Sequence, residues 1–333
     1  MADGSSVLVI GELSDDQPSL ATNEGLGIAR SLAESTGGSV AVAFLSTSVP
    51  ESATSSAFAS GADKVYAVED PLLGQVNFEL WVAALERLCK QENPGILLMG
   101  KSSVGRDLAP RLAFRLGTGL LSDCLELWID KDSKHLVGNR PVYGGSAVAT
   151  ITHKGDLPMA SFRAKTHDPL NPDSSRTGEV VNFSPGLSSD ENRVTLGEQV
   201  RQPVAGVRLE DATVIIGGGR GLGGPEPFQQ LEELASLLGG AVGASRAVCD
   251  AGWLPSSYQI GLTGKTVTPD LYITIAISGA SQHMAGCSAS KTIVAINKDP
   301  ECNIFRESRY GVVGTWEKVL PAFIEQVKEL VKN

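Results

Sequence analysis

From residue 7 onward the chain alternates short apolar runs with longer segments in which apolar positions recur every three or four residues. Val7 to Ile10, Val40 to Leu45, Ala62 to Tyr66 and Ile96 to Met99 read as buried strands, and Glu24 to Glu34, Trp81 to Lys90 and Gly105 to Leu116 as helices. Solid apolar strands separated by amphipathic helices describe a doubly wound α/β unit. Between Gly138 and Arg163 the pattern changes. Ala147 to Thr152 and Met159 to Arg163 are β-branched or alternating and flank Lys154-Gly155-Asp156, which predicts an antiparallel hairpin appended to the sheet. From Thr166 to Pro203 the periodicity fades and turn formers accumulate, among them Asp168-Pro169 and Asn171-Pro172-Asp173, so a domain boundary is expected near residue 200. A second series starts at Ala212 to Ile216 and ends in a helix whose apolar face is predicted to be Val319, Phe323, Val327 and Leu330. The expected fold is α/β with two doubly wound domains, 1–200 and 201–333, the C-terminal one a parallel-sheet domain.

Four turns in that second series carry the candidate chemistry. Gly217 to Gly224 (GGGRGLGG), Gly243 to Arg246 (GASR), Ser278 to His283 (SGASQH) and Asn297 to Pro300 (NKDP) each follow a short apolar run. The carboxyl edge of a parallel sheet is where nucleotide-like ligands bind, so a ligand is expected on these tips. Gly219 to Gly224 satisfies GxGxxG, a weak signal alone, and no acidic residue stands at the distance a dinucleotide ribose needs. Arg220 within the loop adds a cation beside backbone donors that suit a phosphate. Gly95 to Ser102 matches the P-loop pattern letter for letter, but Ile96 to Met99 is a solid apolar run needed as a strand, so the phosphate reading is rejected.

Composition narrows the function class. At 333 residues, 42% of them hydrophobic, the chain exceeds one ordinary domain and has enough apolar material for two cores. The net charge of −10 argues against a nucleic-acid partner. That charge is uneven: residues 1–200 hold 16 basic and 25 acidic side chains, and residues 201–333 hold 12 and 13. The five cysteines form no CxxC pair and the four histidines no ligand-spaced cluster, so reduced thiols and no metal are expected. With no leader-like start and no run of about 18 apolar residues, a soluble cytoplasmic protein without membrane insertion is expected.

Taken with Gln259 to Thr263 (QIGLT), the four turn strings resemble, in order and approximate spacing, the flavin domain of the electron transfer flavoprotein alpha subunit family. Gly105 to Ala113 (GRDLAPRLA) is similar to a string of that family's first domain. The resemblance implies FAD as cofactor, with Arg220, Ser245, Arg246, Gln259, Ile260, Gly261, Leu262, Thr263, Ser278, Gly279, Ala280, Ser281, Gln282, His283 and Asn297 as its contacts. Within that set it implies that Arg246 packs near the flavin ring and favours its anionic reduced forms, that Thr263 places its hydroxyl at ring nitrogen N5, and that His283 faces the pyrimidine carbonyl. The family pattern has Gln where this chain has Leu262 and Asp where it has Thr315. The resemblance further implies an electron carrier subunit, not an enzyme, whose N-terminal domain contacts a beta subunit in a heterodimer. It would accept electrons from dehydrogenases such as acyl-CoA dehydrogenases and pass them to a quinone reductase or another acceptor. Three rivals stand beside it: an alpha subunit of an NADH-dependent electron-bifurcating complex, to which Arg140 to Gly145 is similar, a stand-alone flavin oxidoreductase, and a nucleotide-sensing binding module with no redox role.

Overall fold

The computed structural model of the chain describes residues 6–145, 147–194, 197, 207–210 and 212–331. The chain divides into two compact units, Met1–Pro141 with Val148–Gln199, and Val142–Ala147 with Val200–Asn333. The border expected near residue 200 lies outside the described residues.

In the first unit β1 (Val7–Gly11) runs through a short hairpin, β2 (Leu13–Ser14) and β3 (Gln17–Pro18), into α1 (Leu20–Thr36). Then come β4 (Val40–Ser46), α2 (Glu51–Ala59), β5 (Lys64–Glu69), α3 (Phe78–Glu92), β6 (Ile96–Gly100) and α4 (Ser103–Leu116). The chain continues with β7 (Leu120–Cys124), β8 (Glu126–Ile129), β9 (Leu136–Val142), β10 (Ala147–Thr152), β11 (Met159–Phe162) and β12 (Glu179–Phe183), of which only Val142 and Ala147 are grouped with the second unit. Seven strands form a parallel sheet in the order β12-β5-β4-β1-β6-β11-β7. Period-2 geometry splits β1 between two cores: Leu8 and Ile10 pack with α3 and α4, Val7 and Val9 with α1. Burial on both faces explains why these strands read as solid apolar runs.

Three differences from the sequence reading have physical causes. Met159–Phe162 does not pair with Ala147–Thr152: β11 lies between β6 and β7 in the parallel sheet, while β10 joins β9 and β8 in a separate three-stranded sheet. All four residues of β11 are buried and β10 is mostly exposed, a contrast that the shared strand propensity hid. Glu179–Phe183, inside the stretch read as linker, is the edge strand β12 against β5. Helix α2 (ESATSSAFA) escaped notice because its buried side is built from Ala53, Thr54 and Ala57, with Phe58 its one large apolar residue. The rejected P-loop is indeed strand and turn. Ile96–Gly100 is buried throughout, and the Ser102 hydroxyl accepts from Val104 N–H and Gly105 N–H as the cap of α4.

The second unit contains β13 (Val214–Gly218), α5 (Phe228–Leu237), β14 (Ala241–Ala244), α6 (Arg246–Asp250) and β15 (Leu271–Ile275). It continues with α7 (Ser281–Met284), β16 (Thr292–Asn297), β17 (Tyr310–Val313) and α8 (Trp316–Val331). Its five strands are parallel in the order β14-β13-β15-β16-β17. Strand order reverses between β13 and β15, which opens a crevice at their carboxyl ends. On one face Leu231 and Leu234 of α5 pack with Leu320, Ile324 and Val327 of α8. The apolar stripe of α8 is therefore turned by about one residue from the expected one: Val327 is buried, Val319 and Phe323 are partly buried, and Leu330 faces solvent. No helix among the described residues is long and apolar enough to cross a membrane.

Candidate functional site

A cavity of about 760 Å³ lies over the carboxyl ends of the second unit's sheet, and the segment after every one of its five strands reaches it. Arg220 and Gly221 follow β13, Ser245 and Arg246 follow β14, Ile277 and Ser278 follow β15, Asn297 closes β16, and Trp316 follows β17. The segment Gln259–Thr263 forms a further wall, held to β14 by Ile260 N–H to Ala244 O at 2.9 Å and to α7 by Leu262 N–H to Gln282 O at 2.7 Å. Of the residues singled out from sequence, Gly279 and Ser281 do not line the cavity; the other thirteen do.

The glycines of the first turn do a different task from the one their pattern suggests. A Cβ on Gly219 would fall on the carbonyl oxygen of Ala276, one on Gly218 would come within 2.5 Å of the Phe228 ring, and one on Gly217 would meet the Tyr272 hydroxyl. These positions are small so that the turn after β13 can close against the turn after β15 and against buried rings. Ala276 completes that junction at φ 56, a left-handed conformation rare for a residue with a side chain, held by its N–H to Ile296 O at 2.9 Å. Gly279 sits at φ 76 with its α-carbon against the backbone of Ile304, which explains why it supports the SGASQH turn without facing the cavity.

Each polar wall residue has a defined state. Gln259 donates its amide N–H to Thr263 Oγ1 at 2.9 Å, so the Thr263 hydroxyl proton is left for another acceptor. Arg246 forms an exposed pair with Asp250 four residues on, Nε to Oδ2 3.2 Å. Arg220 is exposed, and among the described residues its guanidinium has no ion-pair partner. Asn297 works as a latch: its amide donates to Ile277 O at 2.9 Å and its side-chain oxygen accepts from Asp299 N–H at 3.0 Å, tying the tips of β15 and β16 together. Leu262, at 60% exposure, gives the wall an apolar side chain.

His283 is the most constrained of the set. It is 7% exposed, and burial drives its imidazole down to about 4, so the ring is neutral at physiological pH. Its Nε2 lies 2.9 Å from the Tyr272 hydroxyl, while Nδ1 is buried with no hydrogen-bond partner among the described residues. The backbone of Ile260 opposes the downward shift, although Nδ1 makes no hydrogen bond among the described residues. A buried unpaired polar atom on a cavity wall is costly unless a ligand completes it.

Sequence reasoning missed Ala276 and Ile296 on the walls and gave Lys298, Thr315 and Trp316 no firm role there. Lys298 lay within the NKDP string, but Trp316 follows a strand, Tyr310–Val313, whose exposed side chains carry no burial pattern. The arrangement offers an apolar slot, hydroxyl groups from Ser245, Thr263, Ser278 and Thr315, one buried ring nitrogen and two guanidinium groups. That set fits a flat heterocycle attached to a phosphate-bearing tail.

Comparisons with known proteins bear on both units. Residues 7–187 match the family model described as electron transfer flavoprotein domain, and residues 208–288 match the one described as electron transfer flavoprotein FAD-binding domain. The chain is 44% identical over 306 residues, 92% of each chain, to the electron transfer flavoprotein subunit alpha of Thermoanaerobacterium thermosaccharolyticum. It is 40% identical to that of Megasphaera elsdenii over 99% of this chain and 98% of the relative. To a protein named FixB from Clostridium saccharobutylicum it is 38% identical over 81% of each.

Proposed function

Starting from a chain that belongs to the electron transfer flavoprotein alpha-subunit family, we propose that its second unit holds FAD and that it works as one half of a heterodimeric electron carrier. The observation that carries this reading is the 760 Å³ cavity into which all five strand tips and the Gln259–Thr263 wall converge. The residues present fit the group. His283 Nδ1 is a buried polar atom in want of a partner, Thr263 retains a hydroxyl proton, and Ile260, Leu262 and Ile277 supply apolar surface for a ring.

When bound, FAD supplies reversible one- and two-electron chemistry. The chain's own task is to bind, orient and tune. Arg220, with its guanidinium unpaired among the described residues, suits the pyrophosphate, because a fork of N–H donors matches phosphate oxygens. Arg246 places positive charge on the wall and so favours a cofactor that has gained negative charge. Thr263 offers its proton where Gln259 has fixed the direction of the hydroxyl. Ser245 ties its tip to the sheet through Ser245 N–H to Gly218 O at 3.0 Å. Nothing in this set requires a covalent nucleophile or an acid–base pair, as suits a carrier that receives and releases electrons unchanged.

The partners follow from the same reading. A beta subunit completes the heterodimer through the first unit, a dehydrogenase such as an acyl-CoA dehydrogenase donates, and a quinone-linked reductase or other acceptor takes the electrons onward in the cytoplasm. Co-production with a beta subunit tests it by absorption at flavin wavelengths and a count of bound FAD. One FAD and one AMP per heterodimer supports the simple carrier; two FAD favours the NADH-dependent bifurcating complex. A colourless complex overturns the proposal.

A further inference from the structure

We propose that Tyr272 is a positioning residue which fixes the tautomer of His283, so that His283 presents an Nδ1–H donor to the bound cofactor. This deepens the FAD reading and rests on it for the identity of the acceptor. Tyr272 is wholly buried in β15, one of the two strands that flank the crevice, and its hydroxyl lies 2.9 Å from His283 Nε2. Among the described residues that is the hydroxyl's one hydrogen-bond contact, and Gly217, where a Cβ would touch it, closes the space beside it.

Counting protons decides between the two neutral forms of the imidazole. If Nε2 carried the hydrogen and donated to Tyr272, the phenol's own O–H would be buried without an acceptor and Nδ1 would be a bare acceptor, leaving two groups unsatisfied. If Tyr272 donates to Nε2, the phenol is satisfied and a single group remains, the Nδ1–H. The second arrangement leaves fewer buried polar groups unpaired and is the favoured one. Burial also keeps both partners in the required protonation state: the phenol is held well above its usual range, and the imidazole stays uncharged. The group that an Nδ1–H suits is an acceptor, such as a ring carbonyl that gains negative charge on reduction. Tyr272 thus acts through His283 and touches no cofactor itself.

Nitrogen-15 spectra of histidine-labelled heterodimer with FAD bound test this directly. The chain has four histidines, and His283→Asn assigns the relevant signal. The expected result is a protonated Nδ1 and an unprotonated, hydrogen-bonded Nε2 between pH 8 and pH 5.5. Tyr272→Phe, which keeps the ring's volume, should give a mixture of tautomers and shift the equilibrium of the first one-electron reduction about tenfold, or 59 mV. A wild-type spectrum with hydrogen on Nε2, or a Tyr272→Phe spectrum identical to wild type, overturns the proposal. If the variant fails to accumulate, the wild-type tautomer decides alone. A complex that purifies without flavin would sink the cofactor reading, whereas the nitrogen signals would still settle whether Tyr272 sets the tautomer.

Discussion

Arg246 and Asp250 form a pair in which each side chain is about two-thirds exposed, so their attraction is weak and the guanidinium keeps most of its influence on the cavity. Asp250 lines the same cavity, so replacing the cation and replacing its neighbour should act in opposite directions. In the flavin-loaded heterodimer, Arg246→Ala is expected to lower the first one-electron potential by about 60 mV for each ~1.4 kcal/mol of lost stabilisation, and Asp250→Asn to raise it; potentiometric titration reads both. His283 brings a pH dependence of definite sign. Its folded value of about 4 lies below the unfolded 6.5, so between these limits the unfolded chain binds the extra proton. The titratable groups packed against it, Tyr272 and Cys287, stay neutral there, the Cys287 thiol being pushed up to about 12 by burial. The second unit should be at full stability above pH 6.5 and lose up to roughly 3 kcal/mol as pH falls toward 4. Denaturation curves of wild type and His283→Asn should converge at low pH. Residues of this kind were only half legible in the chain: the SGASQH string located His283, but nothing in it pointed eleven positions back to Tyr272, because the two meet only when β15 and α7 fold together.

Elements were legible where burial imposed a period and obscure where it did not. The wholly buried β1, β4 and β6 stood out as apolar runs. The edge strands β12 and β17 did not, since strands at the margin of a sheet carry mixed side chains. The start of β5 was anticipated too early because Ala62 is buried like a strand residue although it precedes the ladder, which begins at Lys64. Helix α8 shows how a correct period can still give a turned face. Leu320 is fully buried against α5 and the sheet, whereas Leu330, three turns on, is 75% exposed. Leu320→Ala should therefore cost 2–5 kcal/mol of second-unit stability, about what a buried leucine loses as a cavity opens. Leu330→Ala should stay within about 0.5 kcal/mol. Equal losses in urea denaturation would show that the helix packs by the other face.

At the scale of the whole molecule, buried Glu24 in the first unit and buried His283 in the second respond to acid in opposite senses. Glu24 in the first unit is 2% exposed, and burial raises its carboxyl to about 7, although both oxygens accept from Lys165 N–H at 2.9 and 3.0 Å. Between 4.5 and 7 the folded chain holds the extra proton, so this group's contribution is complete below 4.5 and is lost as pH rises through 7. Hydrogen exchange should thus show α1, which carries Glu24, becoming less protected from pH 5 to pH 8, and α7, which carries His283, more protected from pH 4 to pH 6.5. Glu24→Gln should flatten the first trend alone. The division into two parallel-sheet units was visible in the rhythm of the sequence, because each unit repeats the alternation of strand and helix. The pairing of β11 was not, because a segment's partner depends on contacts distant along the chain.

The crevice of the second unit draws one wall from behind each of its five strands, and the last of those walls includes Trp316. A ribosome that has not yet translated past that codon therefore displays a nascent chain with no complete grip on its prosthetic group. Colour should appear only after synthesis has moved beyond it, and messages truncated upstream should yield a pale product however well their earlier sheet has folded.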